Sequence, residues 1–155
     1  MINRSFTQIV FLFVFIIAGF NSLNAQENDS LVQKKIRSQQ YFFVPQSASS
    51  STVTVPLNSI DYGVRIETDS VIAVLPYNGR SYTIQTNTVD REVKFISTNF
   101  KYTSVAKKKG KWEITIEPKE ARGVKLFLVI FNDGTARMDL TSPGKETMAY
   151  DGYIR

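Results

Sequence analysis

The sequence predicts a mainly β protein: a single antiparallel β-sandwich or barrel-like domain with one short N-terminal helix. Three observations carry that expectation. Apolar residues recur with period two beyond Tyr41, as where Tyr62, Val64 and Ile66 alternate with Gly63, Arg65 and Glu67. Turn-forming residues separate such runs at short, even intervals. No long amphipathic helix alternates with them, which argues against a parallel α/β sheet.

Ahead of this pattern stands an export leader. Arg4 supplies a positive start, Ile9 to Phe20 is an unbroken apolar run, and Asn21, Ser22 and Asn24 form a polar break. Ala25 before Gln26 offers the small residue that a signal peptidase needs, so residues 1–25 read as a cleavable signal peptide. An uncleaved anchor is the competing reading. The run falls short of the roughly 20 residues that cross a bilayer, and no stop-transfer charge follows. The expectation is a periplasmic or secreted protein, not membrane-spanning, with one β-rich domain over residues 26–155.

Removing 25 residues from 155 leaves 130, enough for a domain to support its own core. The chain has no cysteine, so neither a disulfide nor a lipid on an N-terminal cysteine is available to it. It has no histidine either. Serine triads, cysteine–histidine dyads and typical zinc sites therefore lack their parts. Carboxylate, lysine, tyrosine and hard-cation chemistry remain open, and no catalytic, metal or cofactor residue is assigned. Arg4 leaves with the leader, so 18 basic residues face 14 acidic ones, a net charge of +4. That charge is interspersed and reads as a solvated surface rather than a platform for an anionic polymer.

Asp29 or Ser30 caps a predicted helix over Leu31 to Gln40, with Leu31, Val32 and Ile36 on one face. Tyr41 to Val44 is a strand that Pro45 ends, and Gln46 to Thr52 is a serine-rich loop. Thr52 to Val55 reads as a short edge strand. Further strands are Tyr62 to Ile66, Val71 to Leu75, Val93 to Val105 with an internal irregularity, and Lys111 to Glu117. Val124 to Phe131 is apolar on nearly both faces and predicts a central strand covered on each side. Asn132-Asp133-Gly134 turns it tightly into Thr135 to Thr141, and Thr147 to Ile154 closes the chain.

Three groupings are candidates for function. Lys107 to Lys111, near Tyr102 and Trp112, has the residue types of a nucleic-acid groove, yet Trp112 alternates with Glu113 as a core residue does. A hairpin tip is the better reading, and export argues further against nucleic acid. Glu113 and Glu117 share a face but lie about 13 Å apart along a strand, too far for a glycosidase pair. In Leu75-Pro76-Tyr77-Asn78-Gly79-Arg80 the Asn-Gly pair predicts a tight turn. That turn would set Tyr77, Asn78 and Arg80 at a loop tip as candidate ligand-binding residues for a sugar ring or an anion.

That block also carries a resemblance. With Phe43-Val44-Pro45-Gln46-Ser47-Ala48, Asp69-Ser70-Val71, Lys108-Lys109-Gly110-Lys111-Trp112 and Tyr150-Asp151-Gly152-Tyr153-Ile154, the chain resembles the domain of unknown function 4251 family of exported Bacteroidetes proteins. The resemblance implies a β-rich Gram-negative envelope protein with no assigned activity. Asp29-Ser30-Leu31 and Asp69-Ser70-Val71 resemble the periplasmic O-glycosylation pattern of such bacteria, which would make Ser30 and Ser70 acceptors. The function expected is a non-enzymatic binding or accessory module, whose partner would be a glycan or another envelope protein. The alternatives are a carboxylate-dependent glycan-active enzyme and a structural protein that pairs through a sheet edge.

Overall fold

The computed structural model describes residues 31–59, 61–82 and 91–155. Residues 31–38 form helix α1. Ten strands follow: β1 Tyr41–Ser49, β2 Thr54–Pro56, β3 Gly63–Ile66, β4 Val71–Pro76, β5 Glu92–Ser97, β6 Phe100–Lys107, β7 Lys111–Pro118, β8 Lys125–Phe131, β9 Thr135–Thr141 and β10 Met148–Ile154. Nine of them lie on one path, β5-β4-β3-β1-β10-β9-β8-β7-β6, and β2 pairs with β1 beside it.

Every pairing on that path is antiparallel, so its two end strands run in the same direction. Those end strands, β5 and β6, are consecutive in the chain and separated only by Thr98 and Asn99. They are two halves of one bent strand. The first half pairs with β4 and the second with β7. A strand that changes partners at a bend turns a corner in the sheet. The result is a nearly closed, barrel-like antiparallel sheet joined through β1 and β10. The irregularity read within Val93 to Val105 is this bend.

Period two decides which side chains fill the interior. Phe43, Ile66, Leu75, Ile114, Leu128, Met138 and Tyr150 are fully buried there. Each large apolar side chain so placed contributes roughly 1.5–3 kcal/mol. Helix α1 packs its buried Val32 and Ile36 on this core, while Leu31 points outward, contrary to the predicted stripe. The Tyr102 hydroxyl donates to the Ile36 carbonyl (3.3 Å) and lies 3.2 Å from the Tyr41 hydroxyl. That contact ties the helix to β1 and β6.

Three further expectations need correction. Pro45 does not end β1, which runs on through Gln46 to Ser49. The register slips between Pro45 and Ser47 against β10, so a bulge absorbs the missing N–H. The predicted serine loop is accordingly shorter. Strand β8 is covered on one face only, and Phe127 and Phe131 lie partly exposed on the outer wall. Asn78-Gly79 is not a positive-φ turn, for neither residue has a positive φ. By contrast the Asn132-Asp133-Gly134 hairpin forms as predicted, with Gly134 at φ 87°.

Gly152 faces the bulge. A Cβ there would lie 2.0 Å from the Val44 carbonyl oxygen and 2.9 Å from the Pro45 Cα, both rigid backbone. Closure of β1 on β10 therefore needs a residue without a side chain at this position. Gly152→Ala is expected to lower stability by about 2 kcal/mol in urea denaturation, the usual cost of overpacking. An unchanged midpoint would show that β1 can move away at no cost.

Candidate functional site

The Leu75-to-Arg80 block is a structural corner built around a buried tyrosine. Tyr77 is only 5% exposed. Its hydroxyl donates to the carbonyls of Arg80 (2.7 Å) and Glu146 (3.2 Å), and the Lys145 ammonium sits 5.0 Å over its ring. Tyr150 reaches the same corner from the core and donates to the Pro76 carbonyl at 2.7 Å. Of the three residues named from the sequence, Asn78 and Arg80 are exposed and Tyr77 is not. The chain bends here because the Tyr77 hydroxyl pulls Arg80 back over it.

Glu146 locks that corner to the serine loop. Its carboxylate accepts from the backbone N–H groups of Ser51 and Arg80, each at 2.8 Å. Hydrogen bonds from the Ser51 side chain and from these backbone groups hold its pKa down at about 2. Glu120 acts in the same way at the bent strand. It accepts from the Ser97 hydroxyl and from the backbone N–H groups of Thr98 and Asn99, both at 3.1 Å. The Ser97 hydroxyl is the main cause that brings its pKa to about 2, with the backbone donors adding to it.

On the outer wall of β7, Glu113 is bracketed by Lys107 (3.2 Å) and Lys111 (3.1 Å), and Glu117 by Lys125 (3.3 Å) and Lys101 (4.0 Å). The bonds from Lys111 and Lys107 lower the Glu113 pKa. Lys107 to Lys111 forms a hairpin tip, with Lys109 and Gly110 at positive φ and Trp112 in the core. Lys107 and Lys111 thus have carboxylate partners. Among the described residues no group of three or more acidic, His or Cys side chains is placed to hold a metal ion. No helix of the described residues is long and apolar enough to cross a membrane.

A recess of about 550 Å³ opens at the start of β1, lined by residues of β1 and β3, the β3–β4 turn and Arg155. Phe42, on the outer face of β1, pairs directly with Arg65 of β3. On its other side it exchanges both backbone hydrogen bonds with Arg155, each at 3.0 Å. Arg155, Phe42 and Arg65 therefore stand in a row across three strands. Both guanidinium groups lie over the Phe42 ring, with their carbons 5.2 Å (Arg65) and 5.0 Å (Arg155) from its centroid. The ring is laid flat by Gly63, where a Cβ would come within 2.4 Å of the Phe42 Cζ. Glu67 and Asp69 border the recess, and the Ser70 hydroxyl lies 3.3 and 3.1 Å from their carboxylates.

A family model, the domain of unknown function DUF4251, matches residues 23–154. The chain belongs to the DUF4251 family. It is similar to the crystal structure of a DUF4251 family protein from Bacteroides eggerthii DSM 20697, with a TM-score of 0.60 at 10% identity. That likeness covers 82% of this chain and 86% of the other, and it shows the fold. No curated protein matches the sequence. Within the DUF4251 chain, the Leu75-to-Arg80 block that carries the family resemblance is the Tyr77 corner, which gives the motif a folding role.

The sequence singled out neither Glu120 nor Glu146, and neither Arg65 nor Arg155. The carboxylates act through backbone groups of distant loops, which leave no motif. The arginines matter through their shared neighbour Phe42, and only the register across β3, β1 and β10 brings them together. Glu120 and Glu146 also set an acid limit. Their folded pKa of about 2 lies below the ordinary 4.5, so each stabilises the fold above pH 4.5 and loses that contribution as pH falls towards 2. The urea midpoint should drop over that interval, and the Glu120→Gln, Glu146→Gln double variant should show a flatter pH profile. Parallel profiles would mean that other groups set the acid limit.

Proposed function

We propose that this chain works outside the cytoplasm, in the periplasm, as a non-catalytic binding or accessory module. The leader over residues 1–25 supports the compartment, since its apolar run is followed by a polar break and by Ala25, a small residue that a signal peptidase accepts. The observation that carries the non-catalytic reading is the state of the acidic side chains. Where a carboxylate pKa is displaced, at Glu113, Glu120, Asp133 and Glu146, it is lowered. A general acid needs the opposite displacement, towards neutrality. These groups serve as fixed anions that hold loops and lysines.

Binding is the function this leaves to the surface. The interior is filled by apolar side chains, while the outer wall carries a recess bordered by charged groups. Periplasmic fractionation followed by N-terminal sequencing should find the chain there, beginning at Gln26. A thermal-shift screen of the purified chain against glycans, lipids and divalent ions should yield a stabilising ligand. A ligand at 100 times its dissociation constant adds about 2.7 kcal/mol. Bond cleavage in any screened glycan that is lost on Glu113→Gln or Glu117→Gln would replace this reading with that of a carboxylate-dependent hydrolase. Retention in the cytoplasm would overturn the compartment.

A further inference from the structure

The row Arg155–Phe42–Arg65 sets two guanidinium groups over one aromatic ring at the border of the recess. On the outer wall of β6 to β10 several cations are paired: Lys107 and Lys111 with Glu113, Lys101 and Lys125 with Glu117, and Arg137 with Asp139 and Asp151. Arg65 and Arg155 make no ion pair among the described residues. Their guanidinium groups rest over one aromatic ring instead, held by cation–π attraction and without a carboxylate partner. A guanidinium over a ring gives its flat face to the ring and keeps its N–H edges for an oxyanion. The distances to the shared centroid place the two guanidinium carbons within about 10 Å of each other.

This pair is held in place from below. Phe42 lies on the Gly63 backbone, where any side chain would collide with its ring. Arg155 is fixed opposite Phe42 by two backbone hydrogen bonds, and Arg65 by the β1–β3 register. The ring and both arginines therefore stand on rigid strands, the setting that keeps a binding site in register.

The acidic side chains that line the same recess decide what kind of anion fits. Glu67 and Asp69 stand there, with Thr68 and Gln40 beside them. Two carboxylates repel a bare anion, but they accept hydrogen bonds from hydroxyl groups. A ligand that satisfies both sets of groups carries an anionic group and hydroxyl donors. The geometry points to this recess as a binding site for an acidic sugar, whose carboxylate or phosphate meets Arg65 and Arg155 while its hydroxyls meet Glu67 and Asp69. This assignment rests on the binding-module reading above and names its ligand class. Uronic-acid glycans and phosphosugar headgroups share the required chemistry.

Isothermal titration of the purified chain tests it with four probes: digalacturonate, glucosamine 6-phosphate, a neutral disaccharide and inorganic phosphate. One or both acidic sugars should bind, more tightly than the neutral sugar or phosphate alone. Binding by digalacturonate alone would mark the source as uronic-acid glycan, and by the sugar phosphate alone as a phosphosugar. Arg65→Gln and Arg155→Gln should each weaken that affinity roughly tenfold, the scale of one charge-assisted hydrogen bond. Arg137→Gln, on a different part of the wall, should leave it unchanged. Affinity should also fall as salt rises. If an acidic sugar binds equally well to the Arg65→Gln, Arg155→Gln double variant, the site is wrong while the binding-module reading stands. If no acidic sugar binds, or phosphate alone binds as tightly, the ligand class is overturned. The broader ligand screen decides the module reading independently.

Discussion

The bend at Thr98 and Asn99 is the constraint on which the architecture depends, because it lets one stretch of chain serve both ends of the sheet. The stretch over residues 92–107 pairs with β4 through its first half and with β7 through its second, and the bend is where it changes partner. The bend is held from the end of β7, where the Lys119 N–H donates to the Asn99 carbonyl at 2.8 Å. Glu120, the next residue, receives the donors that the bend turns away from the ladder: the N–H groups of Thr98 and Asn99 and the hydroxyl of the fully buried Ser97. Ser97 is the buried member of this set, and an unpartnered buried donor costs about 1–3 kcal/mol, so its hydroxyl needs an acceptor placed for it. One loop carboxylate supplies it and also accepts from the two exposed N–H groups of the bend.

The same device recurs at the opposite corner. Glu146 gathers N–H groups from the serine loop and from Arg80, while its carbonyl receives the Tyr77 hydroxyl. Two loops and the end of β4 are thereby fixed to one residue. With no cysteine in the chain, covalent staples are absent, and these carboxylates hold loops that packing alone does not reach. Their chemistry follows from that duty. A carboxylate surrounded by donors stays ionised and accepts hydrogen bonds; it neither protonates a leaving group nor gains from being exposed to one. In this chain both carboxylates are committed to holding loops.

Much of the fold was legible because alternation and turn chemistry are local. Trp112, Ile114 and Ile116 alternate with polar residues, and they are buried as that pattern requires. The features that misled the reading depend on neighbours distant in sequence. Pro45 looks like a strand terminator until β10 offers Gly152 opposite a bulge. Phe127 and Phe131 imply a covered face, yet they lie on the outer wall among the charged rows of β7 and β9. Tyr77 next to Asn-Gly suggests an exposed tip, and only the position of Glu146, 69 residues on, shows why it turns inward. The candidate site was least legible of all. Phe42 and Arg65 each follow the alternation as outward residues, but nothing in either segment states that they are neighbours.

Packing also explains why a recognition site would lie outside this barrel. A small barrel either fills its interior with side chains or keeps room for one small ligand. Here Phe43, Tyr150, Leu75 and Met138 occupy the interior, and the Tyr150 hydroxyl is committed to the Pro76 carbonyl. The outer wall at the start of β1 is different, because three features meet there: the helix connection, the β3–β4 turn and Arg155, which follows β10 and pairs with Phe42 of β1. Arg65 lies on β3 and Arg155 directly follows β10, the two strands that flank β1. A ligand held by both would span β10, β1 and β3, and so would clamp the pairing that joins the two ends of the chain. Occupancy of the recess and closure of the barrel are in that case linked, since a ligand that needs both arginines in register binds the closed sheet and not the open one.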